Sequence, residues 1–351
     1  MGKISRRQLG KILLTGAGSL AAASAGFDLH PQAAHAEAPG YTNRMRGVVF
    51  TNGTVAQLND CMVRGSYNKK KIVTSIGPWD GGWSQTNRTT VCHSIPGETI
   101  VRTTRGDGST NMGTSEWAYP VAADIVNEIA PWYNTHNYIW IEIGNEPNGF
   151  YGWVKWAKDT YGWTGTGDQP PPQLMPGTYD SRADEYIWNW RYHFGEAVAQ
   201  CRANFPRSLI ISTGLSSWIN PGRWFEIAKD KLALCNYIGF HVLNPNSFYD
   251  VNCDYTRIIP LLQTHFSNKQ WFMTEFGIDA GRANTYLSVA QKQAKGRQYA
   301  EFLHFSKSSP ILPSNCVGGV YFHQMMNGTI EPWYNIYPEG DDAFKNRVFN
   351  G

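Results

Sequence analysis

From residue 181 onward the chain alternates two patterns. Short apolar runs at 209–213, 237–243, 269–277 and 319–324 read as strands. Between them, residues 181–203, 222–234, 255–266 and 286–306 carry the wider spacing of amphipathic helices. A strand, a helix and then another strand imply a parallel sheet, because parallel neighbours need a crossover and a helix supplies it. Upstream, strands are expected at 47–50, 71–76, 99–103 and from Ile139. Helices are expected at 54–63 and at 117–133, with Pro120 tolerated near the start of the second. No helix is evident between 76 and 99. Eight strands match a (β/α)8 TIM barrel built as a single domain. No repeat of fixed period argues for a propeller or solenoid.

Two of these strands end in an acid. Ile139-Trp140-Ile141-Glu142-Ile143 is a buried-strand pattern that breaks at Gly144 into Asn145-Glu146-Pro147-Asn148. Gln270-Trp271-Phe272-Met273-Thr274-Glu275-Phe276-Gly277 follows the same plan. Carboxylates are seldom placed at the end of a buried strand without a partner or a task. As the fourth and seventh strands of a barrel, the two would bring Glu146 and Glu275 to the C-terminal mouth, where barrel active sites lie. Two opposed carboxylates are what glycoside hydrolysis requires, about 5 Å apart for retention and several Å more for inversion. Glu142 shares strand parity with Gly144 and reads as a supporting residue inside the barrel.

The N-terminal residues read as an address. Ser5-Arg6-Arg7-Gln8-Leu9-Gly10-Lys11 is a twin-arginine pattern, residues 12–26 are apolar and small, and Ala34-His35-Ala36 offers a cleavage site. The apolar stretch is too short and too rich in Gly and Ser for a membrane anchor. The expectation is a signal peptide over 1–36 and an exported domain over 37–351, secreted or periplasmic, with no membrane partner after cleavage. The signal accounts for the formal net charge of +3, so the remainder is close to neutral. No basic stripe is left to attract nucleic acid.

Six cysteines fit no zinc spacing, and export permits disulfides; free buried thiols are the equal alternative, and the pairing stays open. No phosphate-cradling glycine loop is present, and no cofactor is expected. Aromatic residues reach 14%, which serves either core packing or the faces of sugar rings. Trp79, Trp83, Trp153, Trp163 and Trp218 lie in loops or at strand ends and are subsite candidates. Residues 149–179, rich in Trp, Tyr, Gly and Pro, read as a long functional loop.

The run 139–148 resembles the signature of glycoside hydrolase family 5, within clan A of the retaining (β/α)8 glycosidases. Thr274-Glu275-Phe276-Gly277 looks like the clan's nucleophile strand, and Val101-Arg102 is similar to the Val-Arg of an early strand. The resemblance implies Glu146 as acid/base, Glu275 as nucleophile, Arg102 as the nucleophile's support, and Asn145 as a ligand of the sugar 2-hydroxyl. The sixth strand of the clan often ends His-x-Tyr; here His241 fits and Leu243 stands at the Tyr position, with Tyr249 available from the loop. The last strand often ends in Trp; here it reads His323-Gln324-Met325, with Trp333 farther on. His241 and His323 are open between substrate ligand and core histidine.

The function expected is retaining hydrolysis of a β-linked oligosaccharide or polysaccharide by a monomer, endo-acting on β-glucan or β-mannan. The rivals are an exo-β-glycosidase similar to family 39, a transglycosylase, and a non-catalytic carbohydrate-binding protein. Retention of both Glu146 and Glu275 speaks against the last.

Overall fold

The sheet closes on itself. In the computed structural model, eight parallel strands pair in sequence order from β1 to β8, and β8 returns to pair with β1. The structure describes residues 41–51, 53–74, 83–103, 120–148, 181–215, 221–244, 248, 254–278, 286–307, 311–324 and 334–350, all within the unit Ala38–Gly351. The strands are β1 (Met45–Thr51), β2 (Lys69–Val73), β3 (Glu98–Thr103), β4 (Trp140–Ile143), β5 (Leu209–Ile211), β6 (Tyr237–Asn244), β7 (Gln270–Ile278) and β8 (Cys316–Gln324). Among the described residues eight helices alternate with them: α1 (Val55–Gly65), α2 (Gln85–His93), α3 (Ala122–Thr135), α4 (Ser181–Asn204), α5 (Pro221–Leu232), α6 (Asp254–Phe266), α7 (Val289–His304) and α8 (Glu339–Asn350). This is the expected (β/α)8 barrel. No described helix is long and apolar enough to cross a membrane.

Each strand is buried on both faces, and alternation sorts its side chains into two cores. Val49, Val73, Ile100, Trp140, Ile211, Phe272 and Val320 form one apolar cluster inside the barrel, one from each strand except β6. On β4 the odd positions Ile139, Ile141 and Ile143 face the helices instead. Burying each of these isoleucines contributes about 1.5–3 kcal/mol. The even positions Trp140 and Glu142 face inward, so β4 carries a carboxylate above the apolar plug.

Local signals account for the helices. In α1, Leu58, Cys61, Met62 and Gly65 are buried at the spacing of one helical face. Thr54 caps it, with Gln57 completing the capping box. Ser288 and Gln291 do the same for α7.

Several expectations need correction. A helix does separate β2 from β3: α2 is polar throughout and buries only Val91, so it lacks apolar periodicity. Its signal is the cap, where Ser84 accepts from the Asn87 amide. Helix α3 starts at Ala122, after Pro120 rather than through it. Strand β2 begins two residues before 71 and ends at Val73. The C-terminal helix α8 adds to the expected set; it starts after Pro338 with Glu339, Asp341 and Asp342 in its first turn. Cys61, Cys92, Cys201, Cys235 and Cys316 are free thiols, and Cys253 lies outside the described residues.

Candidate active site

Two groups of neighbouring strands build the mouth of the barrel. Lys71 comes from β2, Arg102 from β3 and Glu142 from β4; across from them, His241 comes from β6 and Glu275 from β7. All five are buried.

Arg102 organises the cluster. Its Nε donates to Glu142 Oε2 at 3.0 Å and its Nη2 to Glu142 Oε1 at 2.9 Å, a planar two-point contact. Its Nη1 donates to Glu275 Oε1. Lys71 Nζ lies 3.1 Å from Glu142 Oε2 and 3.6 Å from Glu275 Oε1, and it donates to the Thr274 carbonyl. Two buried cations therefore balance two buried anions. Burial alone would raise the pKa of the Glu275 carboxyl, but the Arg102 guanidinium, with His241 and the Lys71 ammonium adding to it, outweighs burial and holds the group well below the usual carboxylate range. Glu142 is held down in the same way.

A register shift delivers Glu275. Phe240 pairs with Met273, yet His241 pairs with Glu275, so Thr274 is an extra residue on β7. Strict alternation from Phe272 would turn Glu275 toward the helices. The bulge turns it into the barrel, beside Arg102.

Glu146 lies beyond β4 on a left-handed turn. Gly144 has φ +76° and Glu146 φ +37°. Only glycine adopts such angles without strain, and a non-glycine residue held there costs of order 1–3 kcal/mol. The turn is pinned on both sides: Gly144 N donates to Thr103 Oγ1 at 3.1 Å, and Glu146 N donates to the Gly214 carbonyl at 2.9 Å.

His241 joins the two acids. Its Nδ1 is 2.6 Å from Glu146 Oε1 and 3.8 Å from Glu275 Oε2. Its Nε2 is 3.2 Å from Arg102 Nη2. A guanidinium nitrogen only donates, so Nε2 accepts and the ring proton sits on Nδ1, which donates to Glu146. The two arms from Nδ1 bound the gap between Glu146 Oε1 and Glu275 Oε2 at no more than about 6.4 Å. Glu146 keeps 29% of its side-chain surface exposed against 7% for Glu275, so Glu146 is the more open to incoming groups.

The structure thus brings together Glu146, Glu275, Arg102 and His241 from the sequence expectation, and it places Glu142 in the supporting position anticipated for it. Asn145 precedes Glu146 on the same turn, and its Oδ1 is a buried acceptor without a hydrogen-bond partner among the described residues. His323 lies on β8 in register with Phe50. Trp79, Tyr249 and Trp333 lie outside the described residues, as do Trp153, Trp163, Trp218 and the loop 149–179. For Trp83 the described contacts support the packing role. It is buried edge-on to Trp132 at 5.3 Å, with Phe50 at 6.5 Å. Lys71 escapes sequence reasoning because a run of three lysines reads as a solvated strand start; its parity with Val73 is the available signal. Among the described residues no group of three or more His, Cys, Asp or Glu is placed to hold a metal ion.

No family model matches the chain, and no curated protein sequence matches it. Solved structures do. A glucosidase from Croceicoccus marinus superposes with a TM-score of 0.52 at 10% identity, covering 88% of this chain and 68% of that one. A GH5-4 broad-specificity endoglucanase from an uncultured bacterium gives 0.48 at 11% identity, covering 88% and 95%. The agarase AgWH50C gives 0.45 at 13% identity, covering 84% and 48%, so the chain spans about half the length of that protein. At such identities the likeness is one of fold, and the first of the three carries it: this chain shares its fold with a glucosidase.

Proposed function

We propose that this chain is a retaining glycoside hydrolase acting on a β-linked glycan by double displacement. One observation carries the reading: Glu146 and Glu275, from the ends of β4 and β7, both approach His241 Nδ1, which places Glu146 Oε1 no more than about 6.4 Å from Glu275 Oε2. Inverting enzymes space their carboxyl groups more widely, to admit a water between acid and base.

The oxygens divide the labour. Glu275 Oε1 is engaged by Arg102 and Lys71, which leaves Oε2 to attack the anomeric carbon. Glu146 Oε1 accepts from His241, which leaves Oε2 to carry the proton that goes to the departing glycosidic oxygen. The products of that step are a glycosyl ester on Glu275 and the free leaving group. Glu146, now a carboxylate, takes a proton from water as that water attacks the same carbon, and Glu275 leaves as a carboxylate. The orphaned Asn145 Oδ1 is available to accept from a sugar hydroxyl. Support for a glycan substrate comes from this geometry and from the glucosidase-like fold. Endo action on β-glucan or β-mannan, by a monomer exported through the twin-arginine route, is the specific form of the proposal.

Alanine variants test it. Glu275→Ala should abolish hydrolysis while glycan binding survives. Glu146→Ala should retain activity only on aryl glycosides whose leaving group needs no proton. Normal polysaccharide hydrolysis by both variants would remove the assignment. A panel of β-glucan, mannan, xylan and aryl glycosides tests the substrate, and an Arg6→Lys, Arg7→Lys chain that is still exported would remove the address.

A further inference from the structure

Lys71 is a buried ammonium at the centre of the site, and beyond its approach to Glu275 Oε1 the two-carboxylate scheme gives it no part in the second step. Its surroundings are defined on every side. Arg102 faces it from β3, Glu142 from β4, Glu275 and the Thr274 carbonyl from β7, and the ring of His241 lies beyond Glu275 on β6.

Charge counting shows what it contributes. Arg102 is shared: Nε and Nη2 serve Glu142, and Nη1 alone serves Glu275. With Arg102 as the only cation, two buried carboxylates would share one guanidinium. Lys71 restores balance and sits between the two acids, reaching both. Once Glu275 becomes an ester the balance tips to one excess positive charge, shared by Arg102, which donates to the oxygen that becomes the ester's carbonyl, and Lys71, 3.6 Å from it. That excess favours return of the electron pair to Glu275 as its bond to the anomeric carbon breaks.

We propose that Lys71 is a positioning residue for Glu275, which fixes Oε1 so that Oε2 attacks and which stabilises the carboxylate as it departs from the glycosyl ester. The proposal rests on the retaining reading. Hydrolysis of the ester therefore depends on Lys71 more than its formation does. Burial also lowers the proton affinity of this lysine, with Arg102 adding to the effect, to a pKa of about 8. The cation is present below that pH and lost above it.

Steady-state and stopped-flow kinetics on 2,4-dinitrophenyl β-cellobioside, or the β-mannobioside if the wild type prefers it, test this. The leaving group needs no proton, so Glu146 drops out of the first step. In Lys71→Met, kcat should fall about 100-fold and KM with it, leaving kcat/KM within about 10-fold, with a burst of dinitrophenolate before the steady state. Its acid limb in kcat/KM should move up by about one pH unit or more, because Glu275 has lost a cation. The wild type should show an alkaline fall in kcat near the lysine's pKa, and Lys71→Arg should restore the acid limb and abolish that fall.

Equal loss of kcat and kcat/KM in Lys71→Met, with no burst and an unmoved acid limb, would overturn the proposal and leave Lys71 structural. If Lys71→Met does not fold, an alkaline fall that persists unchanged in Lys71→Arg overturns it alone. Failure of the retaining reading looks different: the wild type itself would release the sugar with inverted anomeric configuration, read by proton NMR of the first product, or would release no dinitrophenolate from any β-glycoside.

Discussion

Arg102 holds Glu142 through two parallel contacts of 2.9 and 3.0 Å while its third donor reaches Glu275. One guanidinium thus anchors a structural acid and orients a reactive one. Replacing a buried pair with apolar residues is often harmless, whereas removing one partner leaves a charge stranded. Arg102→Met should therefore cost about 3–5 kcal/mol of stability near neutral pH, read by urea unfolding. The pKa of Glu142 is lowered in the fold. Its contribution is present above the unfolded carboxylate value of about 4.3 and is lost as pH falls through the folded value. In Arg102→Met the acid-induced loss should become shallower. A cost below about 1 kcal/mol would contradict the charge balance of the cluster.

Lys71 acts in the same direction but in an alkaline window. Its pKa is lowered by burial to about 8, so above that pH the unfolded chain binds more protons than the folded one. Its contribution to stability therefore rises with pH from about 8 toward the unfolded value near 10.4. The unfolding free energy of the wild type minus that of Lys71→Met should increase by up to about 3 kcal/mol between roughly pH 7 and pH 10. The difference isolates this lysine from the buried tyrosines and thiols that titrate in the same range.

Gly214 is required for the seat of His241. A methyl group there would overlap His241 Nε2 and Thr274 Oγ1. Gly214→Ala should push the imidazole off Arg102 and away from Glu146, lowering kcat/KM by about 10- to 100-fold in a folded protein. Circular dichroism and activity on an aryl β-glycoside check this together. Full activity would mean that His241 does not orient the acids.

Gly144 makes a separate demand. Among the described residues a Cβ there would have room, with Thr213 Oγ1 at 3.7 Å as its nearest neighbour, but φ is +76°. Gly144→Ala should then cost about 1–2 kcal/mol, the strain of a left-handed L-residue, with no steric contribution. Urea midpoints of the two proteins give the number directly.

The strands and most helices were legible because periodicity encodes burial. The ends of β4 and β7 were legible because an acid at the end of an apolar run is costly to bury unless a partner or a reaction needs it. What escaped had physical reasons. Helix α2 buries a single side chain, Val91, so no apolar stripe announces it. Thr274 gives no sign in sequence that it is a bulge, although the inward aim of Glu275 depends on it. Lys71 looks like one of three solvated lysines because strand parity says which way a side chain points, not whether a carboxylate awaits it. Trp83 looks like a sugar platform because it falls at the edge of a loop, and its contact with Trp132 supports packing instead.

The central claim is that Glu275 forms a covalent bond to the sugar while Glu146 moves the proton. A 2-deoxy-2-fluoro β-glycoside of the sugar that the protein hydrolyses, with a dinitrophenyl leaving group, would trap that bond. Peptide mass spectrometry of the inactivated protein should find the added mass on Glu275, with Glu142 and Glu146 unmodified. A label on Glu146 or Glu142, or continued turnover with no labelled peptide, would contradict it.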